Sequence, residues 1–353
     1  MNEQTQPPVL PWDSHNQKLV SNVHPQGWKN PKSAKSYNLV VIGGGTAGLV
    51  SAIGAAGLGA KVALIEKQFL GGDCLNVGCV PSKAIIRAAR AAAAVRDAGE
   101  FGVNVPAGVR TDFGKAMERM RRLRADISPH DSAKRLTELG VDVFLGSGKF
   151  TGSDRVDVAG QTLSFSKAVI ATGARACAPP IPGLKDVPYL TNETLFSLTE
   201  LPKRLGIMGA GPIGCEMAQS FARLGSEVFL VETEHGILPS EDRDAAQAVW
   251  AEMERDGVKL LCCGKKLKLA NDPHGVRLQV ESHGQGYDVL VDQLLVAVGR
   301  APNVEGLGLE AAGVAFDKKG VKVNDRLQTV NPRIFACGDI CSPFQFTHAV
   351  SYT

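Results

Sequence analysis

Along the stretch YNLVVIGGGTAGLVSAIGAAGLGAKVALIEK, which begins at Tyr37, hydrophobic and polar positions follow three regimes in turn. A short β-branched run at 39–42 predicts a buried strand. An alanine-rich segment after the glycines predicts a helix with one small-residue face, and a second apolar run at 62–65 predicts another strand, closed by Glu66. No charged residue occurs from 39 to 60, a length that would also suit a membrane span. The density of glycine and the β-branched start favour a strand, a tight turn and a buried helix instead.

The same sequence of regimes returns in KRLGIMGAGPIGCEMAQSFARLGSEVFLVET. Gly43, Gly45 and Gly48 in the first copy, and Gly209, Gly211 and Gly214 in the second, each spell G-x-G-x-x-G. In such a turn the first glycine permits the tight bend and the second lets backbone approach a pyrophosphate. The third lets helix and strand pack closely, and the helix N-terminus offers unpaired N–H groups to the phosphates. Glu66 follows Gly43 by 23 positions and Glu232 follows Gly209 by the same 23, where an acid can hydrogen-bond a ribose. One such motif is weak evidence. Two in register predict two dinucleotide sites in one chain.

Between them, GSGKFTGSDRVDVAGQTLSFSKAVIATG alternates apolar and polar positions between turn signals and predicts a small antiparallel meander. The preceding DFGKAMERMRRLRADISPHDSAKRLTELG predicts helix up to a stop at Gly140, with Arg121, Arg122 and Arg124 on a solvated face. The first 36 residues, rich in proline and polar side chains, predict a flexible arm that Trp12 and Trp28 can pin to the body. That arm lacks the apolar core of a signal peptide, so a cytoplasmic location is expected. A length of 353 residues suits two domains, and a net charge of +3 excludes neither sign of partner but implies no nucleic acid.

Eight cysteines in this length do not make a secreted disulfide scaffold. Two of them stand out in GGDCLNVGCVPSK, residues 71–83. On a regular helix, residues five apart are roughly 8–9 Å from each other, beyond the Cα separation of about 7 Å that a disulfide tolerates. A bond between Cys74 and Cys79 therefore needs a bend, which Gly71, Gly72, Asn76 and Gly78 permit. Spacing alone leaves a redox pair and two structural thiols both open.

These motifs together resemble the class I pyridine nucleotide-disulfide oxidoreductases, the family of mercuric reductase and dihydrolipoamide dehydrogenase. AVIATGAR (168–175), LLVAVGRAPN (294–303) and IFACGDI (334–340) extend the resemblance collinearly. It implies an α/β, glutathione-reductase-like architecture of two Rossmann-like dinucleotide-binding domains. These are an FAD-binding domain at 37–187 with a return segment at 311–353, and an NAD(P)-binding domain at 188–310. It also implies that electrons pass from a nicotinamide through FAD to a Cys74–Cys79 disulfide and on to a small-molecule or protein disulfide. Cys79 would be the thiolate beside the flavin and Cys74 the interchange thiol. Lys83 and Glu216 would form a buried ion pair at the reactive edge. Lys67, Gly72, Thr172, Gly173 and Asp339 would join Gly43, Gly45, Gly48 and Glu66 at FAD, with Thr347, His348 and Ala349 at its pyrimidine end. Gly299 would join the second fingerprint.

Glu232 suits the free 2′-hydroxyl of NADH, and Thr233, Glu234 and His235 bring no arginine for a 2′-phosphate, so NADH is expected over NADPH. Cys262 and Cys263 read as structural thiols, Cys337 and Cys341 lack zinc partners nearby, and no metal is expected. In the resembled family a dimerisation domain carrying a His-Glu acid–base pair follows, and this sequence does not include it. The family's full-length members are expected to be homodimers and this chain a monomer. Beside an active oxidoreductase, two readings stay open: a flavoprotein with diaphorase activity alone, and a non-catalytic redox sensor.

Overall fold

The β-branched runs become the central strands of two parallel sheets, one in each of two units. The computed structural model describes residues 9–343 and 345. One unit comprises residues up to 80, 121–175 and 301 onward; the other comprises 81–120 and 176–300.

In the first unit Tyr37–Ile42 lies between Val62–Glu66 and Gln161–Ile170, parallel to both. Val41 stands opposite Leu64 on one side and Val169 on the other. Val141–Leu145 extends the sheet beyond Val62–Glu66, and Ile334–Ala336 extends it beyond Gln161–Ile170. Every residue of Val62–Glu66 is buried, as expected for a parallel strand covered on both faces. Val40, Ile42 and Ile65 pack on one face with Phe144, Phe150 and Phe165. Val41 and Leu64 pack on the other with Ala47, Leu49 and Ala52 of the helix Thr46–Gly57. The predicted meander forms from Lys149–Gly152, Arg155–Val158 and the first half of Gln161–Ile170, antiparallel in turn. That last strand then continues into the parallel sheet.

The second unit repeats the plan. Arg204–Met208 is flanked by Glu227–Val231 and Gln293–Val296, with Lys259–Leu261 at the edge, all parallel. Lys265–Asp272, Gly275–Ser282 and Gln285–Val291 form its own antiparallel meander. Its limits differ from those expected at 188–310. Leu269 N–H donates to Pro182 O (3.0 Å), tying the chain before 188 to this meander. Phe113 meets Phe221 at 5.7 Å between ring centres, and Arg96 pairs with Asp256 at 2.9 Å, so 81–120 packs here too. Residues past 300 join the first unit, where Phe150 N–H donates to Leu307 O (2.8 Å).

Two expectations are overturned. The amino-terminal arm is not loose from residue 9 onward: Ser14–Val23 is a helix capped by Asp13, with Leu19, Val20 and Val23 buried. Trp28 pins the segment through Nε1 to Val143 O (3.2 Å), whereas Trp12 is exposed. Nor do the arginines all lie on a solvated face: Arg122 is exposed as expected, but Arg121 and Arg124 are not. Arg121 and Arg124, on the helix Phe113–Ile127, are only 7% and 4% exposed. Arg121 pairs with Asp13 at 2.6 Å. Arg124 donates to Asn76 O (2.6 Å) and Asn16 Oδ1 (2.7 Å), so its guanidinium joins the arm helix to the loop between Cys74 and Cys79. Burial pushes its pKa down to about 10. Among the described residues no helix is long and apolar enough to cross a membrane.

Removing that guanidinium leaves two buried acceptors without their donor. Arg124→Ala is expected to destabilise the chain by about 2–4 kcal/mol, and Arg124→Lys by less, since an ammonium lacks the fork but keeps the charge. Urea unfolding of the three proteins checks this.

Candidate cofactor and redox sites

In parallel sheets, ligands gather beyond the carboxyl ends of the strands. Three sequence-predicted segments of the first unit meet there. Gly43 follows Tyr37–Ile42, Thr172 and Gly173 follow Gln161–Ile170, and Asp339 lies in the short 3-10 turn Gly338–Ile340 after Ile334–Ala336. Backbone bonds fix their relative positions: Ala171 N–H donates to Ile42 O (2.8 Å), and Cys337 N–H donates to Ile170 O (3.0 Å). Asn303 clasps the middle segment, donating from Nδ2 to Thr172 O (2.9 Å) and accepting at its carbonyl from Thr172 Oγ1 (3.0 Å).

The glycines of the turn fall into two kinds. At Gly43, with φ +110°, an added Cβ would lie 2.2 Å from Ala171 O; at Gly48 it would lie 1.8 Å from Gly43 O. Packing within the protein requires both. Gly45 is different. Its φ of −83° is open to any residue, and a Cβ there would meet nothing nearer than Gly72 Cα at 3.6 Å. Neither conformation nor packing demands glycine at 45, so the space it leaves fits a ligand against the uncapped N-terminus of Thr46–Gly57.

The second unit reproduces this pattern. Gly209 and Gly214 are packed against Ala297 O and Gly209 O, at 2.5 and 1.9 Å from an added Cβ, whereas at Gly211 a Cβ would meet nothing within 4 Å. Gly43 N–H donates to Ile65 O and Gly209 N–H to Val231 O, both at 2.8 Å. The acids match as well. Glu66 Oε2 accepts from Gly44 N–H (2.6 Å), and Glu232 Oε2 from Ala210 N–H (2.7 Å). Each carboxylate thus holds its own turn. Glu66 is buried, which raises its pKa against the two N–H donors from Gly44 and Gln68. Gly299 has φ +130° with open space around it.

The cysteine motif joins the first turn directly. Gly71 N–H donates to Gly44 O (2.8 Å), and a Cβ on Gly72 would lie 2.6 Å from Gly45 Cα. Cys74 lies in the short helix Gly72–Asn76, and Cys79 opens the helix Cys79–Arg96. The chain between them doubles back: a Cβ on Gly78 would be 2.7 Å from Asp73 O and 3.4 Å from Cys74 Cα. The chain therefore bends sharply between Cys74 and Cys79. Asn76 holds it from within, donating to Leu70 O (3.0 Å) and Gly72 O (2.8 Å), and Arg124 holds Asn76. Sequence reading missed Arg124 as a support of this loop, since a run of arginines looks like surface.

In the other unit Lys83 Nζ meets Glu216 Oε1 at 2.6 Å. The pair forms as expected but is not buried, the two side chains being 59% and 35% exposed. Lys67 is exposed beside Glu66. Thr347, His348 and Ala349 lie outside the described residues.

A family model described as pyridine nucleotide-disulphide oxidoreductase matches residues 37–352. The chain belongs to that family. It is 35% identical over 317 residues to a mercuric reductase of Staphylococcus aureus, spanning 90% of this chain and 58% of that protein. It is also 35% identical over 323 residues to a dihydrolipoyl dehydrogenase of Acholeplasma laidlawii, spanning 90% of this chain and 94% of the relative. The solved HOCl-induced flavoprotein disulfide reductase RclA from Escherichia coli superposes with a TM-score of 0.78 at 32% identity, over 90% of this chain and 69% of that one. The chain spans little more than half the length of the mercuric reductases it matches. The architecture is that of glutathione-reductase-like flavoproteins, and FAD and a nicotinamide nucleotide are the family's cofactors.

Two other thiols of this family member are turned inward. Cys215 and Cys341 donate to the carbonyls of Ala210 (3.2 Å) and Ala336 (3.3 Å). Burial pushes both pKa values up to about 12.

Two outcomes follow for these sites. Because an added Cβ at Gly45 would make only an ordinary contact with Gly72 Cα, Gly45→Ala should fold normally yet lose the flavin that this turn is expected to hold. Gly211→Ala should keep flavin and weaken nicotinamide nucleotide binding by about tenfold or more, both read from flavin absorbance and nucleotide titration. The second concerns the thiols, since only thiolate alkylates. At pH 8, well below about 12, Cys215 and Cys341 should resist iodoacetamide while exposed Cys177 reacts. In urea their pKa returns to about 8.5 and all react, as peptide mass mapping would show.

Proposed function

We propose that this chain is an FAD-dependent oxidoreductase that moves electrons from NADH to a disulfide or related acceptor through Cys74 and Cys79. The observation that carries the reading is the seam between Gly44–Gly45 and Gly71–Gly72, where the pyrophosphate turn and the segment leading into Cys74 touch. Direct backbone contact thus joins the residues proposed to hold a dinucleotide to the segment that carries the sulfurs. FAD, when bound, supplies two-electron transfer between a nicotinamide and a disulfide.

The chain's own residues set the rest. Gly43, Gly45 and Gly48 shape the turn for the pyrophosphate, Glu66 takes the ribose, and Asp339 with Thr172 and Gly173 lines the adjoining strand ends. Cys79 stands at the first position of an 18-residue helix, where the dipole favours negative charge. Cys74, on the neighbouring short helix, is the thiol that exchanges with the acceptor. Lys83 and Glu216 form the charged pair that tunes the reactive end.

Preference for NADH rests on Glu232, whose Oε1 already accepts from Thr233 N–H (2.7 Å) and Glu234 N–H (3.2 Å). A 2′-phosphate there would meet a carboxylate. Arg243, the next arginine along the chain and the first residue of the helix Arg243–Arg255, is turned onto the carbonyls of Ile237, Leu238 and Glu241.

Anaerobic addition of NADH to purified flavoprotein tests the proposal. A long-wavelength thiolate–flavin absorption band should appear and should be absent in Cys79→Ala, while Cys74→Ala should retain it without reducing a disulfide acceptor. Bleaching of the flavin in wild type with no such band would mean diaphorase activity alone. Protein that folds without binding flavin would leave only a thiol-based sensor.

A further inference from the structure

Just beyond Glu232, the acid that closes the second fingerprint, the second unit gathers a set of side chains to which the proposed reaction gives no chemical step. His235, Cys262, Cys263 and His283 place one ligand atom each within 4.8 Å of all the others. His235 Nδ1 lies 3.4 Å from Cys263 Sγ, and His283 Nε2 lies 3.2 Å from Cys262 Sγ. A sulfur and a nitrogen bound to one tetrahedral zinc, at about 2.3 and 2.0 Å, stand about 3.5 Å apart. The two cross pairs already have nearly that separation. The imidazole planes are 89° apart, with ring centres at 6.1 Å, so the two rings approach from different directions rather than stacking.

The backbone holds all three contributing segments together. Cys263 N–H donates to Glu234 O (3.0 Å), and Gly264 N–H donates to Glu232 O (2.8 Å), which ties the cysteines to the turn bearing His235. Ser282 Oγ donates to Cys262 O (2.7 Å), which ties them to the hairpin bearing His283. His283 and Gly284, with φ of +50° and +80°, are the two central residues of that hairpin, and Ser282 pairs with Gln285 across it. Histidine is among the few side chains that tolerate this region, and its use here aims the ring back over the cysteines. Cys262 is buried, Cys263 half-buried and both histidines exposed, so an ion can enter from the histidine side.

We propose that these four residues form a Cys2His2 site for a divalent cation that takes tetrahedral thiolate–imidazole ligation, zinc(II). Binding breaks two S–H bonds and forms two Zn–S and two Zn–N bonds. Two protons go to solvent, no electron moves, and the filled site is neutral, with two thiolates, two neutral imidazoles and one dication. Sequence spacing hid the set. His235 precedes Cys263 by 28 positions and His283 follows Cys262 by 21, outside any compact zinc pattern.

The test uses the full chain with Cys74→Ser and Cys79→Ser, so that the redox pair cannot bind the ion, under a phosphine reductant. Zinc is titrated against a chromophoric chelator, and bound metal is measured by atomic emission. One zinc per chain is expected, with two protons released in weakly buffered solution. Cobalt(II) in its place should give the intense visible bands and sulfur-to-metal charge transfer of a tetrahedral thiolate site. Adding Cys262→Ser and Cys263→Ser should abolish both signals. His235→Asn, at an exposed position whose change spares the fold, should weaken zinc by on the order of a hundredfold, as should His283→Asn, which keeps a residue suited to positive φ. Circular dichroism confirms folding of each. Absence of stoichiometric zinc, a weak octahedral cobalt spectrum, or undiminished affinity in folded His235→Asn would overturn the proposal and leave the two contacts as thiol–imidazole hydrogen bonds.

Discussion

The structure depends on one close approach made twice: a glycine Cα at the start of a helix set against the carbonyl oxygen at the end of the strand before it. At Gly48 and Gly214 an added methyl would sit within 2 Å of the carbonyl of Gly43 or Gly209. No rotamer relieves such an overlap, because both partners are backbone. The contact fixes the helix against its strand and therefore fixes where the uncapped N–H groups point. Everything placed around those N–H groups, including the neighbouring strand ends, the acid closing the adjoining strand and the cysteine loop, is positioned relative to that seam.

What the sequence made legible was whatever backbone geometry imposes on residue type. A turn that only glycine can make, repeated with an acid 23 positions on, is enough to announce both parallel sheets. The meander was legible for the same reason, because alternation and turn residues are local. Burial of charge was not. Arg121 and Arg124 look like surface in a helix rich in lysine and arginine, and only the arm helix, with Asp13 and Asn16, supplies the partners that let them sit inside. That helix was itself hidden: SHNQKLVSNV has too few apolar positions to signal amphipathicity and is held by capping and packing. The buried ion pair expected at Lys83 and Glu216 failed in the opposite sense, since pairing can be read from a motif but solvent exposure cannot. The Cys-His set escaped for a third reason, because its members come from three separate turns and no single window contains them.

The cysteine loop shows how support can come from far along the chain. Asn76 lies between Cys74 and Cys79, yet its carbonyl is held by a guanidinium 48 positions later. A loop with the proposed task of opening and closing a disulfide would need restraint that does not run through the disulfide itself. The bonds from Asn76 to Leu70 and Gly72, and from Arg124 to Asn76, provide that restraint in whichever state the sulfurs are in. A buried charge is a costly way to do this, but a fork that reaches two acceptors at once fixes orientation as well as distance.

The two fingerprints share a geometry and differ in their surroundings, and the difference matches the two tasks proposed for them. In the first, Glu66 is buried and Gly45 is roofed by the Gly71–Gly72 backbone. In the second, Glu232 is half-buried and nothing lies within 4 Å of a Cβ at Gly211. A dinucleotide on the first turn would be enclosed by protein and released slowly, as a resident carrier must be. One on the second would meet an open approach, as a substrate that exchanges each turnover requires. Duplication alone would have produced two equal sites; the cysteine segment folded over the first is what makes them unequal, and it is the same segment that carries Cys74 and Cys79.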